Sequence, residues 1–161
     1  MLAISEMSLH LYSTVLFLHI FCAIVWVGGG VTMQVLASRA MKAGPEEAAK
    51  FAASAEFMGT RVFLPASIIL LILGLTMVLG WDFWSLTDVW VLVGLGGIAS
   101  TIVIGAGFLG PEAGKLAKLI EEKGTTDPEV SARIARILKI SRIDLAVLIV
   151  VVWDMAYKPF S

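Results

Sequence analysis

Four stretches of this chain are apolar over lengths that suit lipid better than water: residues 9–37, 62–79, 89–109 and 140–157. Crossing a hydrocarbon core of about 30 Å takes roughly 20 residues of helix, and inside it every backbone N–H and C=O must find a partner within the chain. The last stretch is short from Ile143 onward, but Ile134, Ile137, Leu138 and Ile140 extend it backwards into one long helix. The expectation is an all-α polytopic membrane protein: one domain, a four-transmembrane-helix bundle with helical extensions on the cytoplasmic side. Composition agrees, since 58% of residues are hydrophobic and only 16% charged, against about a quarter charged in soluble domains.

The first stretch is expected to stay in the mature protein. It is too long for a secretory leader, and Glu6 stands where a leader carries positive charge. Orientation follows from the bases, which stay with cytoplasmic loops. Arg39, Lys42, Lys50 and Arg61 lie at the first connection, and Lys115, Lys118, Lys123, Arg133, Arg136, Lys139 and Arg142 at the third, eleven of the 12 Lys and Arg in all. The second connection, Gly80 to Asp88, has acids and no base. A bacterial inner membrane protein with both termini outside is therefore expected, its first partner being the bilayer.

Both basic connections carry helix signals. In Gly44-Pro45-Glu46-Glu47 and Asp127-Pro128-Glu129 a proline at the first helical position precedes acids in the first turn, both favourable at a helix N-terminus. Gly110-Pro111-Glu112 is expected to end or break the third span, leaving Lys115 to Lys123 as a short charged helix closed by Gly124. Trp81, Phe83, Trp84 and Trp90 gather in the outer connection, and Trp153 and Tyr157 at the end of the fourth span, where an interface favours amphipathic rings.

Several function classes drop out. The 12 bases against 13 acids leave a net charge of −1, with no basic field to draw in nucleic acid. A single cysteine, Cys22, builds neither a disulfide nor a multi-cysteine metal site within one chain. No phosphate-binding glycine loop, metalloprotease helix or nucleophile elbow is present.

Function must then be sought among polar groups at membrane depth, where an ionisable side chain is costly. His19 lies about 15 Å along the first span, and Cys22, Trp26, Gly29 or Gly30, and Met33 follow at spacings that put them on its face of a regular helix. Two roles are open to it. It can give an axial nitrogen to a haem, with Trp26, Gly29 and Gly30 shaping the pocket, or it can hydrogen-bond across the bundle to Ser, Thr or Asp while the glycines serve packing. Gly94, Gly97, Thr101 and Gly105 form a small-residue stripe on the third span, expected to be architecture. On the fourth, Asp144 and Asp154 lie near the span's ends, with Lys158 four residues after Asp154; these read as anchors, since Leu145 to Val152 holds no titratable residue to continue a proton relay. Glu56 and Arg61 flank the start of the second span, one turn before Pro65, where a kink or a helix restart is expected; they are candidates to pair with Arg142 and Asp144 across the inner surface. Arg133, Arg136 and Lys139 read as topology determinants and lipid-headgroup contacts.

The segments Leu18-His19-Ile20 and Trp26-Val27-Gly28-Gly29, the Glu56/Arg61/Pro65 cluster and the ending Asp154-Met155-Ala156-Tyr157-Lys158-Pro159 resemble a bacterial domain-of-unknown-function family of predicted four-span integral membrane proteins. That likeness covers nearly the whole chain and carries no activity. More distantly, His19 through Trp26-Val27-Gly28-Gly29 is similar to the first helix of the copper-resistance CopD-type domain and of membrane-bound protoporphyrinogen oxidases of the HemJ type. The wider resemblance implies haem b at His19. It does not extend to porphyrin oxidation or copper import, because the chain lacks a deep second-helix His or Lys and a His/Met cluster. Electron transfer or haem-linked redox chemistry is the leading expectation. A small oligomeric transporter or channel, or an accessory subunit of a larger membrane complex without cofactor, is the alternative.

Overall fold

A computed structural model describes the backbone of residues 2–158 and the side chains of residues 6–158; Pro159 of the C-terminal motif lies outside the described residues. The described residues form four long helices and no strand. The first runs Leu2–Ala23, through a π-helical turn at Ile24–Gly28, into Gly29–Ala43. The second runs Pro45–Met58, a π turn at Gly59–Phe63, then Leu64–Gly80. The third runs Val89–Ile104, a π turn at Gly105–Leu109, then Gly110–Lys123. The fourth is unbroken, Pro128–Tyr157.

Three of these, Glu6–Ala43, Pro45–Gly80 and Val89–Lys123, are long and apolar enough to cross a membrane. None of the most apolar stretch of the first is buried within the protein, and only 22% and 28% of the second and third. Phe17, Ile72 and Val103 are 64%, 56% and 69% exposed, so these faces are spent on lipid, not on a shared core. The fourth helix is 30 residues long and carries Arg142, Asp144 and Asp154 in its apolar half.

The expected break at Gly110-Pro111-Glu112 does not occur. A proline inside a helix lacks the N–H for the carbonyl four residues back, and its ring crowds that carbonyl. Here the helix widens just before it: the Gly110 N–H reaches Gly105 O, five residues back. Pro65 is met the same way, with the Leu64 N–H bonded to Gly59 O, so the kink or restart expected there is also a continuous, locally wide helix.

The first and second helices pack as one hairpin, the third and fourth as another, and contact between hairpins concentrates at the π turns and in the inner half. Gly94 and Gly97 do serve close packing, since a Cβ at either would run into Met155 and Val151 of the fourth helix. Gly105 does not: nothing lies near it, and it opens the π turn instead.

The best-buried core lies at the end of the helices that carries the basic connections, at and beyond the ends of the most apolar stretches. Ala37, Leu116, Val130, Ile134 and Leu138 pack together from all four inner extensions with Ala48, and Ala37 and Val130 are fully buried. The expected helical extensions thus form a small bundle with a core of their own. Its ends are set locally: Gly44 and Gly124 take φ of 128° and 77°, a region open to glycine, and Asp127 caps the fourth helix by accepting the Glu129 N–H at 2.7 Å.

Candidate functional site

His19 faces the second helix. Its Nδ1 lies 3.0 Å from Leu70 O, and because a carbonyl can only accept, the ring nitrogen donates. That fixes the proton on Nδ1 of the neutral ring and leaves Nε2 with its lone pair. The approach depends on Gly74, where a Cβ would stand 3.1 Å from Cε1 of the imidazole. The acceptor is therefore a backbone carbonyl, where sequence reasoning expected Ser, Thr or Asp. Leu70 and Gly74, four residues apart on one face, were invisible because a main-chain carbonyl has no residue signature.

The stripe following His19 does not stay in step. The π turn at Ile24–Gly28 interrupts the regular spacing, and the glycines diverge: a Cβ at Gly29 would stand 2.5 Å from Phe63 Cε1 of the second helix, and one at Gly30 would stand 3.2 Å from Leu145 Cδ1 of the fourth. Both serve helix contacts about 15 Å below His19, while Trp26 and Cys22 are half-buried between. Most hydroxyls on the apolar segments are turned back on their own helices, as Thr14 to His10 O at 2.9 Å, Ser67 to Leu64 O at 2.8 Å, Thr76 to Ile72 O at 2.8 Å and Thr101 to Ile98 O at 2.9 Å. That pattern satisfies them in lipid.

The inner candidates are not brought together as expected. Glu56 and Arg61 are exposed on the second helix, and none of Glu56, Arg61, Arg142 and Asp144 appears among the described ion pairs. Arg142 instead donates from Nε to Gln34 Oε1 at 3.3 Å, and the Gln34 amide donates to Ser141 Oγ, so Gln34 stitches the first helix to the fourth. Asp144 keeps one buried oxygen without a hydrogen bond. Asp144 lies two residues past Arg142, and because such neighbours do not share a helical face the two do not pair with each other.

Near the C-terminal end of the fourth helix Asp154 is 3% exposed, with one oxygen unbonded, so the carboxyl is enclosed by the protein. Lys158 closes the helix in a left-handed cap, its N–H on Asp154 O at 2.7 Å. Its ammonium lies 3.6 Å from the centre of the Trp84 ring and 4.8 Å from that of Trp90, a cation–π arrangement. Trp81 and Trp84 donate to Ser8 Oγ and Tyr12 OH at 3.1 and 3.3 Å, so the outer aromatics also bind the loop to the first helix.

The inner basic face is partly built into the protein. Arg133 binds Glu112 at 3.1 Å, and Arg136, still exposed, stacks over Phe108 at 5.2 Å. Glu112 also takes Lys115 at 2.8 Å. The Lys115 hydrogen bond, aided by the charges of Lys115, Arg133 and Arg136, holds its carboxyl below the ordinary value against desolvation.

Among the described residues no group of three or more His, Cys, Asp and Glu is placed to hold a metal ion; what His19 offers is one nitrogen. A family model described as "Predicted integral membrane protein (DUF2269)" matches residues 13–159. No curated protein and no solved structure gives a match.

Proposed function

The chain belongs to the DUF2269 family of predicted integral membrane proteins, and on that premise we propose that it spans the bilayer four times and binds haem b through His19, serving electron transfer or haem-linked redox chemistry. The fourth helix makes the fourth span. Leu145 to Val152 is free of charge, and Arg142, Asp144 and Asp154 fall toward its ends, where partial hydration and protein contacts tolerate them. The segregation of bases then sets both termini outside a bacterial inner membrane.

The observation that carries the haem reading is the His19 to Leu70 bond. Histidine ligands generally give their other ring N–H to a carbonyl or carboxylate, which fixes the tautomer and aims the ligating nitrogen. His19 has that arrangement before any metal is considered. Haem b would supply a one-electron couple; the chain's own residues orient the nitrogen, through Leu70 and Gly74. Trp26, seven residues on and within the π turn, would border the group.

The same bond favours a second reading, in which His19 only pins the first helix to the second. One experiment separates them: spectra of the detergent-purified protein, expressed with ample haem, air-oxidised and then dithionite-reduced, with a pyridine haemochrome assay for stoichiometry. A Soret band that shifts on reduction, and is lost in His19→Ala without loss of the monodisperse species, is expected. A featureless wild-type spectrum, or a band that survives His19→Ala, overturns the assignment.

A further inference from the structure

Below their π turns the first and second helices leave a groove of about 720 Å³ between them, within the roughly 300–1,000 Å³ of ordinary ligand pockets. Met33, Leu36, Ala40, Phe51 and Met58 give it an apolar lining. It begins at Gly29, beside the apolar spans, and ends at Ala43, about 21 Å along the helix at the standard rise. One end thus opens toward hydrocarbon and the other toward the basic surface of the inner bundle.

Charge chooses the occupant. Lys50, at the groove's far end, is taken up by two acids, Glu47 at 3.0 Å and Glu46 at 2.9 Å. Arg39, which lines the groove, is exposed and appears in none of the described ion pairs; neither does Lys42, one turn on. A second hollow of about 400 Å³, lined by Gln34, Ser38 and Lys42, shares Arg39 with the first. An apolar channel about 21 Å long, with Arg39 on its wall and Lys42 in the adjoining hollow, neither in a described ion pair, matches an acyl chain with an anionic head. Basic pockets between membrane helices take acidic lipids for this reason, and a guanidinium grips phosphate through two parallel hydrogen bonds.

We propose that this groove is a binding site for an anionic glycerophospholipid, one acyl chain lying along Met33, Leu36 and Phe51 and the phosphate held by Arg39 and Lys42. The site is independent of His19.

Native mass spectrometry of the full detergent-purified chain, titrated with phosphatidylglycerol or phosphatidylcholine, tests it. The wild type is expected to retain phosphatidylglycerol about tenfold better, the worth of a charge-assisted hydrogen bond. Arg39→Ala with Lys42→Ala, both at exposed positions, should abolish the preference, and Arg39→Lys should keep part of it. Met33→Trp should fill the groove and lower retention of both lipids. If that variant does not fold, Leu36→Trp, at a position 44% exposed, makes the same test. Equal retention of the two lipids by the wild type, a preference that survives the double substitution, or undiminished retention in a folded groove-filled variant overturns the proposal.

Discussion

The His19 imidazole lies against Gly74, whose missing side chain leaves room for the ring to reach the Leu70 carbonyl. Gly74→Leu should push the ring off that carbonyl, leaving Nδ1 without its acceptor. The expected loss is about 1–3 kcal/mol, the cost of an orphaned buried donor, read as a lower melting temperature in detergent. If haem is bound, its Soret and reduced bands should also shift, because the ring's orientation and basicity are set by that bond. An unchanged melting temperature would show that the contact carries no weight.

Gly97 and Val151 lock the third helix to the fourth. A methyl at 97 would collide with the Val151 side chain, which is β-branched and holds few rotamers. Gly97→Ala should therefore destabilise by about 1–3 kcal/mol, as overpacking does. Adding Val151→Ala should recover most of it, so thermal unfolding of the two single variants and the double variant is expected to be strongly non-additive.

The inner bundle should loosen in acid. Glu112 has its carboxyl held below its ordinary value of 4.5, first by the Lys115 hydrogen bond and then by neighbouring positive charge. A carboxylate depressed in the folded state contributes stability that is present above the unfolded value and lost as pH falls through the folded one. Amide exchange over residues 110–138 should therefore be slow at neutral pH and accelerate below about 4.5, beyond the intrinsic pH effect. Glu112→Gln should exchange faster at neutral pH and show little further change on acidification.

Four spans put both ends of the chain on one side, and three do not. Reporters active only outside the cytoplasm, fused at either terminus, should both be active, and a reporter inserted after Gly124 should be silent. A C-terminal reporter active only in the cytoplasm would remove the fourth helix from the membrane.

Much of this protein is written in its sequence, because lipid selects for simple signals. A run of apolar residues such as Val89 to Leu109 declares a helix whatever its neighbours are, since an unpaired backbone in hydrocarbon has no alternative. Gly44 and Gly124 mark turns, and Asp127 marks a cap, through bonds made within a few residues. The tertiary structure alone decided the rest. Pro65 and Pro111 read as breaks and proved to be wide turns in continuous helices, because an N–H can move its bond from the fourth carbonyl back to the fifth at a cost that packing offsets. The inner core of Leu116, Val130 and Ile134 was hidden among charged residues, and Glu56 and Arg61 looked ready to pair with Arg142 and Asp144, but both stay exposed and Arg142 turns to Gln34. The placement of His19 against Gly74 and Leu70 depends on groups 51 and 55 residues away in the chain, one a bare carbonyl and the other an absent side chain. Local bonds are legible in sequence because their partners are neighbours; contacts between helices depend on rotation and depth, and a single π turn changes both.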